Sequence, residues 1–198
     1  MLQAGVPGFK CSLIASGVEE FPHVSLQDLH MAMNELQGTD CPLDFYTEQE
    51  LGQWKPALEG CKPDSISFSG VCADPTEYRA LLDSRPDPME VEAVHTIADL
   101  CLQYKVPCHI LPLSSAQALP IIREACQKGA PLTIETAHHY LNLMSEHIPP
   151  GGTYYKCCPP IRAKTNQTRS ALRLLHWAAQ YVEETEEAHP KHPTPTAV

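Results

Sequence analysis

Residues 91–136 read VEAVHTIADLCLQYKVPCHILPLSSAQALPIIREACQKGAPLTIET, and the fold class turns on this stretch. Val91, Val94, Ala98 and Cys101 recur at three- and four-residue steps, the period of a helix with one apolar face. The apolar run from Val106 to Leu113 suits a buried strand. Ser115 is a candidate cap for the next helix, which carries Ala118, Ile122 and Ala125 on its inner face and stops at Gly129. Leu132 to Thr136 alternates and is β-branched enough to be another strand. Helix, strand, helix, strand at this spacing means a parallel sheet built from βαβ units.

The same grammar extends toward the N-terminus. Gly8 to Ile14 is a short apolar run bounded by Pro7 and by Ser16-Gly17, and reads as a strand. From Ser25 the period changes to that of a helix: Leu26, Leu29, Met33 and Leu36 share a face, Ser25 with Asp28 resembles a capping box, and Gly38 is the stop. Pro42 to Thr47 is a second strand, and Glu48 to Pro88 reads mainly as a long excursion punctuated by Pro and Gly. Toward the C-terminus, Asn142 to Asn166 is loop-like. A helix is expected over 168–188, with Leu172, Leu175, Ala179 and Val182 at helical steps, followed by a disordered Pro-rich tail over 189–198.

At 198 residues the chain is one domain by length. A formal net charge of -10 argues against nucleic acid or an anionic membrane surface as partner, because both demand a basic face. No stretch is apolar for long enough to span a bilayer, and Met1 to Gly5 shows no basic region leading into an apolar run, so no signal peptide is expected. The nine cysteines are odd in number and include no Cys-x-x-Cys pair. They are expected to be free thiols in a reducing compartment, and the protein to be intracellular, soluble and cytoplasmic.

Five stretches then carry a resemblance. They are 8–11 (Gly-Phe-Lys-Cys), 16–24 (Ser-Gly-Val-Glu-Glu-Phe-Pro-His-Val), 113–116 (Leu-Ser-Ser-Ala), 135–141 (Glu-Thr-Ala-His-His-Tyr-Leu) and 156–162 (Lys-Cys-Cys-Pro-Pro-Ile-Arg). In this order they resemble the allantoinase branch of the amidohydrolase superfamily, close to dihydropyrimidinases and hydantoinases. The resemblance covers residues 1–167 and implies an α/β fold: about four parallel strands of a partial (β/α)8 barrel, the fourth to seventh of that family. It also implies the family's chemistry, in which a zinc pair bridged by a carboxylated lysine supplies hydroxide and polarises the carbonyl of a cyclic amide. For an allantoinase that reaction opens allantoin to allantoate.

The resemblance places Lys10 at the carboxylated lysine. A lysine in an apolar run suits that role, although a head group that snorkels to water at a strand end explains it equally well. Two other ligand positions are lost. The fifth-strand histidine aligns with Tyr46, and the sixth-strand histidine with Pro112, which has no lone pair to give. His109 stands three residues before Pro112 and is expected on the opposite face of its strand. The first-strand His-x-His pair and the eighth-strand aspartate find no match, so Lys10 is expected as a vestigial plain ammonium with no metal bound.

Cys158 matches the loop whose backbone holds the ring substrate in the relatives, so it is the candidate substrate-side position; no catalytic residue is assigned. His138 and His139, read as strand neighbours, point to opposite faces and do not make a metal pair. Two functions follow. One is a partial hydrolase acting on a small-molecule ureide. The other, favoured for this chain, is a non-catalytic protein that associates with itself or with a full-length relative. Half a barrel is further expected to expose two sheet edges and an apolar inner face.

Overall fold

Four short parallel strands, β1 (Phe9–Ser12), β2 (Leu43–Tyr46), β3 (Cys108–Ile110) and β4 (Leu132–Ile134), lie side by side in chain order. The computed structural model describes residues 1–17, 19–49 and 74–170. A sheet whose spatial order follows the chain order without reversal is that of a barrel segment rather than of a doubly wound sheet, which reverses at a switch point. Each strand sits inside the run that its sequence marks, trimmed to the residues that exchange backbone hydrogen bonds.

The register fixes the faces. Phe9, Leu43, Cys108 and Leu132 are aligned across the sheet, as are Lys10, Asp44, His109 and Thr133, and then Cys11, Phe45, Ile110 and Ile134. Alternate residues point to opposite faces. Cys11, Leu43, Phe45, Cys108 and Ile110 are buried in one cluster with residues of three helices. These are α1 (Leu26–Leu36), α3 (Asp87–Tyr104) and α4 (Leu119–Gln127), which cover that face of the sheet. Met33 and Ile97 are completely buried there. The opposite face carries Lys10, Asp44, His109 and Thr133, so the expected apolar inner face is instead polar in this part of the sheet.

Several boundaries differ from expectation. The excursion after β2 holds a further helix, α2 (Tyr78–Ser84), and α3 starts before Val91, at Asp87. Pro86 caps it and Pro88 lies in its first turn, where a missing N–H costs nothing, so these prolines open a helix rather than mark a loop. Ser115 does not cap α4: the N-cap is Ala118, and the Ser115 hydroxyl is turned to Asp87. His138 and His139 begin a short helix, α5 (His138–Asn142), and are not strand neighbours. Residues 164–170 are helical, so the last helix starts before Thr168. Leu172, Leu175, Ala179 and Val182, the tail over 189–198 and most of the excursion lie outside the described residues. No helix among the described residues is long and apolar enough to cross a membrane.

Candidate functional site

The C-terminal ends of the strands and the loops that follow them gather most of the residues that the sequence singled out. Lys10 lies on edge strand β1 and is exposed, with Asp44 as its neighbour in the register. His109 shares their face; its spacing to Pro112 cannot be read as alternation, because regular strand geometry ends at Ile110. Its Nδ1 lies 2.7 Å from the Thr133 hydroxyl and its Nε2 3.6 Å from a Glu135 carboxylate oxygen. Lys10 and His109 are thus separated by β2 and do not share a ligand set.

Two residue pairs beyond Lys10 and Asp44, Tyr46 stands beside Ser12. Beyond it the chain carries Glu48, which is fully buried and ion-paired with Arg85 through Oε2. Among the described residues its Oε1 has no hydrogen-bond partner at ordinary geometry. Burial pushes the Tyr46 phenol well above its ordinary value, and the nearby Glu48 and Cys158 add to the effect. The Cys158 thiol, although the residue is exposed, is likewise raised by desolvation, with Glu48 adding to it and Arg85 opposing. The structure therefore brings Tyr46 and Cys158 into one neighbourhood with Glu48 and Arg85. A raised thiol is a poor nucleophile, so Cys158 is not poised for covalent chemistry.

A second polar cluster ties the loops together. Glu90 on α3 is completely buried and accepts hydrogen bonds from Ser114 N–H at 2.6 Å, the Ser114 hydroxyl at 2.7 Å and Ser115 N–H at 3.1 Å. Arg162 reaches the same carboxylate at 3.2 Å, donates to the Ser114 hydroxyl at 3.1 Å and to the Arg85 carbonyl at 2.5 Å. Asn166 accepts from Ala116 N–H at 2.7 Å and donates to the Ser114 carbonyl at 2.8 Å. Burial pushes the Glu90 carboxyl up, while Arg162 and the serine donors work against it. This cluster holds residues 113–116 against residues 160–166. Tyr140 adds a further tie through its hydroxyl to the Pro159 carbonyl at 2.6 Å, and Ile161 N–H donates to Tyr78 at 2.7 Å.

The sequence assigns no site role to Glu48, Arg85, Glu90 or Asn166. A signal existed for Glu90, which stands three, four and seven residues before the buried Ala93, Val94 and Ile97: a carboxylate in the apolar stripe of a helix needs a partner. The partner's identity was not readable.

The donor set does not fit a metal pair. Among the described residues no group of three or more His, Cys, Asp or Glu side chains converges to hold an ion. Pro112 offers no side-chain donor, and its carbonyl is engaged by the Thr47 hydroxyl at 3.3 Å. Tyr46 is a phenol whose proton is held more tightly than usual, an unfavourable state for a ligand.

The comparisons agree with the resemblance. The chain is 60% identical over 167 residues to the mitochondrial allantoinase of Aquarana catesbeiana, a match that covers 84% of this chain and 32% of that protein. It is 38% identical over 171 residues to the allantoinase of Saccharomyces cerevisiae, covering 84% of this chain and 34% of the relative. Among solved structures, the L-hydantoinase (dihydropyrimidinase) of Arthrobacter aurescens superimposes with a TM-score of 0.70 at 22% identity, over 85% of this chain and 35% of that one. A D-hydantoinase follows with a TM-score of 0.65 at 22% identity. These folds agree with a partial (β/α)8 barrel. No family model matches the chain. The chain spans about a third of the length of the curated relatives it matches.

Proposed function

We propose that this chain, which belongs to the allantoinase family and spans about a third of its relatives' length, does not hydrolyse cyclic amides and serves as a non-catalytic member. The observation that carries this reading is internal to the matched region. The end of β2 and the segment after β3 present Tyr46 and Pro112 where the resemblance puts metal-binding histidines. In the family the metal pair supplies the hydroxide and polarises the amide carbonyl. Neither a phenol held protonated nor a proline can hold that pair, and Lys10 alone cannot compete with water for zinc. Lys10 is then a plain ammonium, and the loop at Cys158 is the substrate-side surface that remains.

Elemental analysis of the purified protein after dialysis is expected to find far less than one zinc per chain. An assay of allantoin opening is expected to give no turnover above a no-protein control. One or two zinc ions per chain, together with turnover that a chelator abolishes, would overturn the proposal.

A binding role is the companion reading, with another copy or a longer relative as partner. It is favoured by the sheet itself: among the described residues, β1 pairs only with β2, and β4 only with β3.

A further inference from the structure

Away from the strand ends, two thiols converge. Cys101 is in the last turn of α3 and Cys108 is the first residue of β3. Both are free and buried, at 0% and 2% exposure. Each points its Sγ at the same acceptor, the carbonyl oxygen of Val106, at 3.4 Å from Cys101 and 3.3 Å from Cys108. Sharing one acceptor at these distances puts the two sulfurs in one neighbourhood, and each shifts the other's titration. The turn that joins them is tightly wound: Lys105 adopts a left-handed conformation, with φ 56°, and its N–H returns to the Cys101 carbonyl at 2.9 Å. The candidate site has no part in this pair, and a core that needed only small apolar side chains would take alanine or valine here.

We propose that Cys101 and Cys108 form a dithiol site that an oxidised low-molecular-weight thiol, such as glutathione disulfide, converts to an internal disulfide. The Cys101 thiolate attacks one sulfur of glutathione disulfide, whose S–S bond breaks, and one glutathione leaves and takes up a proton. Cys108 then attacks Cys101 Sγ in the mixed disulfide and expels the second glutathione, which takes up the other proton. Two electrons pass from the protein to the oxidant, and no other reactant is needed. The order of attack follows from the environment. The neighbouring Cys108 lowers the Cys101 thiol, whereas Cys108 is raised by Cys101 and by burial. Because both sulfurs are buried, the reaction proceeds through opening of the end of α3 and the 105–107 connection and is slow in the folded protein.

Cys126, half-buried on α4, is the competing thiol: it donates to the Leu132 carbonyl at 3.5 Å, and the nearby Cys101 adds to the rise that burial gives its thiol. The test uses the whole chain, reduced, desalted, incubated with glutathione disulfide, quenched in acid and alkylated in denaturant. Trypsin cuts after Lys105, between the two cysteines, so the disulfide appears as two joined peptides that separate on reduction. The expected result is that joined pair, with the intact protein lighter by two hydrogens. The pair is lost in Cys101→Ser and in Cys108→Ser and kept in Cys126→Ser. Full alkylation of both cysteines in the wild-type chain, or a link from Cys101 to Cys126 in place of Cys108, overturns the proposal. The wild-type map decides the question even where a serine variant does not fold.

Discussion

Glu90 carries more of the loop architecture than any single apolar residue on its helix. Its carboxylate meets two backbone N–H groups, one hydroxyl and the Arg162 guanidinium, and Arg162 is itself only 4% exposed. Removing Glu90 leaves the buried Arg162 with only the longer ion pair to Asp87, at 3.7 Å. Glu90→Ala is therefore expected to lower the unfolding free energy by about 3–5 kcal/mol, read by urea denaturation followed by circular dichroism. A loss no larger than that of an exposed substitution would show that the cluster is bystander packing. Residue-scale chemistry was legible only where one position states its own need. Pro112 announces that its own side chain holds no metal, because no fold gives proline a side-chain donor; that a ligand belongs at this position is what the resemblance implies. Glu90 announces a missing partner, but Arg162 lies 72 residues further along the chain and no local pattern connects the two.

Among the elements, α1 is the one whose sequence and structure agree most closely. The Ser25 hydroxyl accepts from Asp28 N–H at 3.1 Å, and the Asp28 carboxylate accepts from Ser25 N–H at 2.9 Å, the reciprocal capping box that the residues suggest. Gly38, at φ 77°, permits the chain to leave the helix where a side chain would be strained. Ser25→Ala is expected to cost about 1 kcal/mol, measured by thermal unfolding. The cap also sets a pH dependence. Hydrogen bonds from the Ser25 side chain, then its backbone, hold the Asp28 carboxyl below its ordinary value of about 3.9. Its contribution is thus fully present above that value and is lost as pH falls through the lower folded value, which follows from linkage. Wild type should lose stability over that acid window more steeply than Asp28→Asn, compared by unfolding at stepped pH. An identical slope in both would remove Asp28 from the account. By contrast, the boundary of α3 was misplaced because proline signals both loop and helix start, and only the capped geometry at Pro86 separates the two.

At the scale of the molecule, the sheet has an end strand on each side, β1 and β4, paired on one side only among the described residues. Unpaired strand edges are templates for other strands, whereas the face bearing Lys10, Asp44, His109 and Thr133 is too polar to drive association by itself. Self-association along the edges is the expected outcome, opposed by the net charge of -10. Light scattering and thermal unfolding at several protein concentrations should show a rising particle size and a concentration-dependent transition. A strict monomer with one sharp, concentration-independent transition would mean that the edges are protected within the chain.

By itself the sequence determined the alternation of strand and helix and the parallel sheet. Both depend on short-range periodicity. That Tyr46 and Pro112 stand where metal ligands belong is what the family resemblance implies. Only the tertiary structure decided that His109 shares a face with Lys10, that Glu48 is buried against Arg85, and that Glu90 joins Ser114 to Arg162. It also decided that Cys101 and Cys108 meet at one carbonyl. These arrangements depend on which side of a strand end the chain turns to, and on partners that burial brings together from distant segments. Desolvation makes an unpaired buried charge too costly to persist, so the fold must supply a counterion, but the sequence does not say from where.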